Sequence, residues 1–154
     1  MGAVYSDPNR DTAILMINPM EAQRISAPQL SFGGEIDSGG SVCSFGFACG
    51  KYPAMFLEGL AINYIQEEGF CELRFNRHII QGMSGGPILD KYGQVVGLNS
   101  SSYMDAVPHP SVLVRFTNFP VDMGFGVAVS EIHTVVALML EEKEHEADCS
   151  QTAP

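Results

Sequence analysis

Gly82-Met83-Ser84-Gly85-Gly86-Pro87 decides how the chain is read, together with the run behind it, Ile88-Leu89-Asp90-Lys91-Tyr92-Gly93-Gln94-Val95-Val96-Gly97-Leu98. A serine that attacks a carbonyl needs a tight loop whose backbone N–H groups converge on the oxygen where charge develops. Gly82 removes the side chain that would block such a hole, and Gly85 and Gly86 let the chain turn away without a Cβ clash. Pro87 then fixes φ for re-entry into a strand. Ile88-Leu89, a turn over Asp90–Gly93, and Gln94–Leu98 predict a hairpin with Ser84 at its entry. The hexapeptide could be a glycine turn and nothing more, but its fit to the hairpin favours a nucleophile.

Outward from this motif the hydrophobic runs are short, rich in β-formers and separated by turn residues, which predicts an all-β barrel or sandwich. The predicted strands are Thr12–Ile17, Ser41–Phe47, Met55–Ile65, Phe70–Phe75, Gln94–Asn99, Ser111–Phe116 and Phe125–Val129. The stretch 18–40, rich in Pro, Ser and Gly, is long for a connection inside one packing unit and is read as joining two. One helix is expected from Ser130 as N-cap to about Glu142, with Ile132, Val135, Val136, Leu138 and Met139 as its apolar stripe. The polar, acidic segment 143–154 is expected to be disordered.

The 154 residues suffice for one domain with a sizeable core. A net charge of −10 argues against a nucleic-acid surface, which needs clustered Lys and Arg. No apolar run has the length of a membrane span, and the N-terminus lacks a secretory leader, so the compartment is left open, with the cytoplasm one option. Four cysteines, Cys43, Cys49, Cys71 and Cys149, are read as free thiols. No His, Asp, Glu or Cys set has ligand spacing, so neither metal nor other cofactor is expected.

Gly82–Pro87 resembles the nucleophile motif of the trypsin-like (chymotrypsin-fold) serine peptidases, and the hairpin behind it most resembles the HtrA (DegP) branch. Asp11-Thr12-Ala13-Ile14-Leu15 is similar to the segment carrying that family's triad aspartate. Gly40-Ser41-Val42 with Phe45-Gly46-Phe47 resembles the opening strand of its second barrel. Gly97-Leu98-Asn99-Ser100 resembles the strand lining the specificity pocket, and Gly124–Val129 the closing strand before a C-terminal helix. The resemblance implies a double β-barrel, here with the second barrel complete over 41–129 and the first largely missing, residues 1–17 being its remnant. It also implies a serine endopeptidase that works through an acyl-enzyme on Ser84. The N–H groups of Gly82 and Ser84 would form the oxyanion hole and Asp11 would orient the base. Ser100 would lie beside the substrate backbone, and His78 and Asn99 would line the pocket.

The base is what the sequence does not supply. In this family the catalytic histidine precedes the aspartate, and no histidine precedes Asp11; His78, His109, His133 and His145 all follow it. Met83 also departs from the pattern, since trypsin has an aspartate there for zymogen activation and a methionine cannot form that ion pair; apolar packing should hold the loop instead. The chain is therefore expected to be a fragment of a peptidase, inactive alone. The alternative is an inactive relative that keeps the barrel to bind extended peptides at the Ser100–Ser102 edge. A cysteine nucleophile, Cys43, Cys49 or Cys71, is disfavoured, because none of the three lies in a glycine-rich hole. The expected partner is a peptide or protein substrate, with no nucleic acid and no membrane; the oligomeric state is not readable.

Overall fold

The computed structural model describes residues 2–24, 29–67, 70–102 and 123–151. Its centre is a closed antiparallel barrel of six strands in the order β3-β4-β5-β8-β7-β6. These are β3 (Ser41–Gly46), β4 (Met55–Glu67), β5 (Phe70–Phe75), β6 (Pro87–Asp90), β7 (Val95–Ser102) and β8 (Gly124–Ala128). Period-2 alternation fills the barrel: Val42, Ser44 and Gly46 of β3 point inward, with Leu73 and Phe75 of β5. Leu73, Phe75, Ile88 and Val96 are completely buried. Each such side chain contributes about 1.5–3 kcal/mol on leaving water, which makes the barrel the stable platform for the loops at its ends.

A separate two-stranded sheet precedes it, β1 (Gly2–Asp7) against β2 (Thr12–Met16). β1 was not expected from sequence, because Gly2–Asp7 has no alternating pattern; its pairing with β2 defines it. The connection that follows carries a short helix, α1 (Pro19–Ala22), and then packs along the barrel. Ser31 and Gly33 exchange backbone hydrogen bonds with Val95 at 2.8 Å each, and the Ile36 N–H donates to the Tyr64 hydroxyl at 2.9 Å. The predicted hairpin at Ile88–Leu98 is present, closed by the Asp90 N–H to Gln94 O bond, and β7 runs on to Ser102. The predicted strand Ser111–Phe116 lies outside the described residues.

The C-terminal helix α2 corrects two expectations. It spans Val129–Gln151, so it starts directly from β8 with Ser130 inside its first turn rather than as N-cap. It also continues past Glu142 into the segment expected to be disordered; Glu, Lys and Ala there are good helix formers, and polarity alone concealed that.

One ionic network fixes the hairpin to the barrel. The Arg10 guanidinium donates to Asp7 Oδ2 at 2.6 Å and to Glu131 Oε2 at 2.9 Å, and Glu131 Oε1 accepts the Cys71 N–H at 2.9 Å. Asp7 and Glu131 are both buried. Arg10 thus ties the turn between β1 and β2 to α2, and through Glu131 to β5. The hydrogen bond from Arg10, outweighing burial, holds the Asp7 carboxyl below its ordinary 3.8. A carboxyl whose folded pKa is depressed contributes stability above its unfolded pKa and loses it as pH falls through the folded value. Acid should therefore weaken the fold below about pH 4. In Asp7→Asn, urea midpoints measured across that range should vary less with pH than in the parent; an equally steep loss in both would remove Asp7 from the account.

Candidate active site

The site begins at the end of the β1–β2 turn. Pro8–Arg10 form one turn of 3-10 helix, capped by the Asp7 carboxylate on the Asn9 N–H at 3.0 Å. Asp11 ends it in the left-handed region at φ +46, a conformation that Asp tolerates better than most residues. Across from it, β7 carries a bulge between Asn99 and Ser101. A bulge inserts an unpaired residue and re-aims its side chain, and here that residue is Ser100. Its hydroxyl donates to Asp11 Oδ2 at 2.8 Å, while its carbonyl accepts the Ser84 hydroxyl at 3.0 Å. Asp11, Ser100 and Ser84 are thus brought together by two hydrogen bonds. Asp11 and Ser84 are exposed, which leaves both open to a further group.

The loop 76–86 that presents Ser84 leaves the end of β5 and enters β6. Its turn at Ile80–Met83 is closed by the Met83 N–H on Ile80 O at 3.0 Å, with Gly82 at φ +93. Gly85 N–H donates to Asn99 O at 2.7 Å, and Gly86 N–H to Met83 O at 3.0 Å. Those bonds engage the donors of Met83, Gly85 and Gly86. The N–H groups of Gly82 and Ser84 have no acceptor among the described residues, so both are free to bind a ligand oxygen. Met83 is completely buried in the cluster of Val42, Ile79 and Ile88, which anchors the loop by packing and matches the reading of its departure from an ionic residue. The role of Gly82 needs refinement. A Cβ there would lie 2.6 Å from the Phe47 carbonyl oxygen, so the space it preserves is against the Phe47–Gly50 turn behind it.

Asn99 was expected on a pocket wall, and that expectation is corrected. It is 2% exposed and points into the barrel, where its carboxamide accepts from the Ser44 hydroxyl at 2.8 Å and donates to Phe45 O and Met83 O at 3.1 and 3.2 Å. Its inward register on β7 makes it a brace under the Ser84 loop. His78 is half-buried, and its Nδ1 has no hydrogen-bond partner among the described residues. His133 is exposed on α2, edge-on to Phe32 at 5.2 Å. Neither forms a hydrogen bond to Ser84 or Asp11 among the described residues; His109 and the His145 side chain lie outside them. Cys43, Cys49 and Cys71 are free, and burial pushes the thiols of Cys43 and Cys71 up, which keeps them protonated. A cleft of about 510 Å³ on the outer barrel face, beside Cys43, Glu58 and Arg77, includes none of Ser84, Asp11 or Ser100.

The family model of the trypsin-like peptidase domain matches residues 2–98, which takes in the β1–β2 hairpin, the Ser84 loop and the start of β7. The chain belongs to the trypsin-like peptidases. Solved peptidases share its fold. The Rv3671c protease of M. tuberculosis in its active form superposes with a TM-score of 0.68 at 22% identity, covering 88% of this chain and 56% of its own. A serine endoprotease from Yersinia pestis gives 0.69 at 19%, covering 92% and 44%. The HtrA-type protease AlgW, solved with a tripeptide, gives 0.68 at 19%, covering 94% and 44%. The chain therefore spans about half the length of these structures. No curated protein matches it.

Three residues that tie the elements around the candidate site together carried no sequence signal for that part. Arg10 and Glu131 are ordinary charges on a turn and a helix until the fold brings them together. Cys49, which donates its N–H to Gln81 O at 2.6 Å, sits in a turn that composition alone reads as a loop.

Proposed function

We propose that the chain provides the nucleophile, the orienting carboxylate and the oxyanion hole of a serine endopeptidase. Ser84 attacks the scissile carbonyl, and the N–H groups of Gly82 and Ser84 stabilise the tetrahedral oxyanion. Asp11 orients a base imidazole that the described residues do not supply. Ser100 serves two purposes, holding Asp11 through its hydroxyl and offering its carbonyl beside Ser84, where a substrate N–H can compete for it. The observation that carries this reading is the Asp11–Ser100–Ser84 chain of hydrogen bonds beside two unengaged backbone donors. AlgW has been solved with a tripeptide and with a decapeptide, and an extended peptide is the substrate class we assign here.

Without an imidazole the Ser84 hydroxyl stays protonated and donates its hydrogen bond to Ser100 O, so the described residues alone retain only the residual catalysis of binding and oxyanion stabilisation. That same bond favours a second reading, a peptide-binding module without turnover. A peptide boronic acid separates the two at a pH below its own ionisation, where boron becomes four-coordinate by bonding to a seated nucleophile whose proton passes to solvent. The parent should show a tetrahedral boron resonance, and Ser84→Ala should lose it together with at least tenfold in affinity. Equal binding by both proteins, with boron remaining trigonal, would leave the binding module standing.

A further inference from the structure

The Asp11 carboxylate is carried by a hairpin with little hold of its own on the barrel that carries Ser84. β1 and β2 form a separate sheet, and among the described residues no backbone hydrogen bond joins it to the barrel. A two-stranded hairpin is at best marginally stable in water, so contacts outside its own ladder must fix where Asp11 lies. α2 packs against both strands, but apolar contact is non-directional and does not choose the orientation of a turn. Among the described residues two side-chain hydrogen bonds cross from the hairpin to the rest of the fold. One is the Ser100 hydroxyl to Asp11 Oδ2 at 2.8 Å, at the surface and open to competition from water. The other is Arg10 Nε to Glu131 Oε2 at 2.9 Å, and it ends on a buried carboxylate.

Arg10 is held at both ends. Its guanidinium, a rigid planar fork, reaches Asp7 Oδ2 at 2.6 Å as well as Glu131. Its carbonyl accepts the Thr12 hydroxyl at 2.8 Å. That carbonyl belongs to the planar peptide shared with Asp11, so holding it sets the direction in which Asp11 leaves the turn. Asp11 then stands at φ +46, a conformation it does not favour by itself. Glu131 cannot swing to follow a loose hairpin, because its second oxygen accepts the Cys71 N–H of β5 at 2.9 Å. An unbroken line therefore runs from the β5 backbone through Glu131, Arg10 and Asp11 to Ser100 of β7. Both of its ends rest on the barrel.

We propose that Glu131, acting through Arg10, is the positioning residue for the Asp11 carboxylate, clamping the β1–β2 turn so that Asp11 meets Ser100 beside Ser84. A residue of the C-terminal helix thereby sets the alignment of the carboxylate that is to orient the base. The inference rests on the acyl-transfer reading for its purpose, while the position of Asp11 can be measured without it.

Three variants of the 154-residue chain test it. Arg10→Met removes the fork and leaves Glu131 on the Cys71 N–H; Glu131→Ala removes the receiving carboxylate; Arg10→Lys keeps the charge but has no fork. Crystal structures of each give the Asp11 Oδ2 to Ser100 Oγ separation, with the Ser44–Asn99 bond at 2.8 Å reporting an intact barrel. The second readout is hydrolysis of a peptide p-nitrophenyl ester in the presence of added imidazole, above the rate of Ser84→Ala. There an imidazole nitrogen takes the Ser84 proton as Oγ bonds to the ester carbon, and p-nitrophenolate leaves with the bonding pair. Water then frees the peptide acid and Ser84.

Arg10→Met and Glu131→Ala should each lose the Asp11–Ser100 contact while the barrel stays intact. Each should also lose at least about tenfold in the imidazole-dependent rate with the ester KM unchanged, since an orienting carboxylate acts on the base and not on substrate binding. Arg10→Lys should fall between them and the parent. A general loss of stability would not divide rate from KM in this way. An Asp11–Ser100 contact at the parent distance in either folded variant that has lost the Arg10–Glu131 bond overturns the proposal. Arg10→Lys is read in the same way if the other two do not fold. If the parent shows no turnover above Ser84→Ala and binds the boronate no better, the acyl-transfer reading fails by itself, and the crystal structures still decide the clamp.

Discussion

Asn99→Leu is expected to destabilise the protein by about 2–4 kcal/mol, from roughly 1–3 kcal/mol for each of the Ser44 hydroxyl and the Phe45 carbonyl left without this partner, while Met83 O keeps the Gly86 N–H. Asn99 is 2% exposed and Ser44 is fully buried. The substitution removes one acceptor and two donor contacts at once: the Ser44 hydroxyl loses Oδ1, and the carbonyls of Phe45 and Met83 lose Nδ2. Leucine has nearly the right volume, so little cavity is formed and the loss is that of unpaired groups. Such a loss is a large part of the roughly 5–15 kcal/mol that a domain of this kind has in total. The urea midpoint should fall with an unchanged slope. Adding Ser44→Ala to Asn99→Leu should return about 1 kcal/mol, because one orphaned hydroxyl disappears with its side chain. A loss under about 1 kcal/mol for the single variant would mean that the Ser44 hydroxyl and the Phe45 carbonyl find other partners. The effect reaches the site directly, since Met83 O is the carbonyl just before Ser84.

Asn99 also shows where sequence reading stops. The Gly97–Ser100 run was legible as a strand beside the Ser84 motif, because alternation and the hairpin turn are local signals. The face on which Asn99 lies was not, since Val95, Val96 and Gly97 before it are all buried and give no alternation to count from; the bulge between Asn99 and Ser101 shifts the register only beyond it. The same bulge turned Ser100 toward Asp11, a contact between parts of the chain that no local pattern could pair. Ser84 and Gly82 stood out because a serine set among glycines at a hairpin entry fits few other roles, whereas Asp11 was picked out only by its resemblance to the family's aspartate segment. Arg10 and Glu131 were not, since a charge is ordinary until its partner is known. Glu131 lies in the first turn of a helix, where an acid is unremarkable, yet its carboxylate is occupied with Arg10 and the Cys71 N–H. The helix end was missed because acidic composition was taken to mean disorder, when the local helix propensity of the same residues was high.

Gly86→Ala is expected to be more damaging than Gly85→Ala, its neighbour in the same motif, and the contrast explains why the motif carries two glycines. Gly85 lies at φ +79 with nothing within 4 Å of an added Cβ, so alanine there pays only for the left-handed backbone, about 1–2 kcal/mol. At Gly86 the φ is not positive and the obstacle is space. A Cβ would fall well inside contact distance of the Phe45 carbonyl oxygen and 3.0 Å from that of Met83. Neither oxygen belongs to a flexible side chain that could rotate away, and both already accept Asn99 Nδ2. To admit one methyl group, β6 must move off β3 and the Asn99 brace must open. Overpacking against side chains costs about 1–3 kcal/mol, and a clash with two fixed backbone carbonyls should reach or exceed the top of that range. Urea denaturation of both variants tests the ranking. If Gly85→Ala is the worse of the two, backbone conformation rather than close approach limits the motif. If Gly86→Ala folds at reduced stability, its boronate affinity should also fall, because moving β6 displaces Ser84; Gly85→Ala should keep more of that affinity at its own stability.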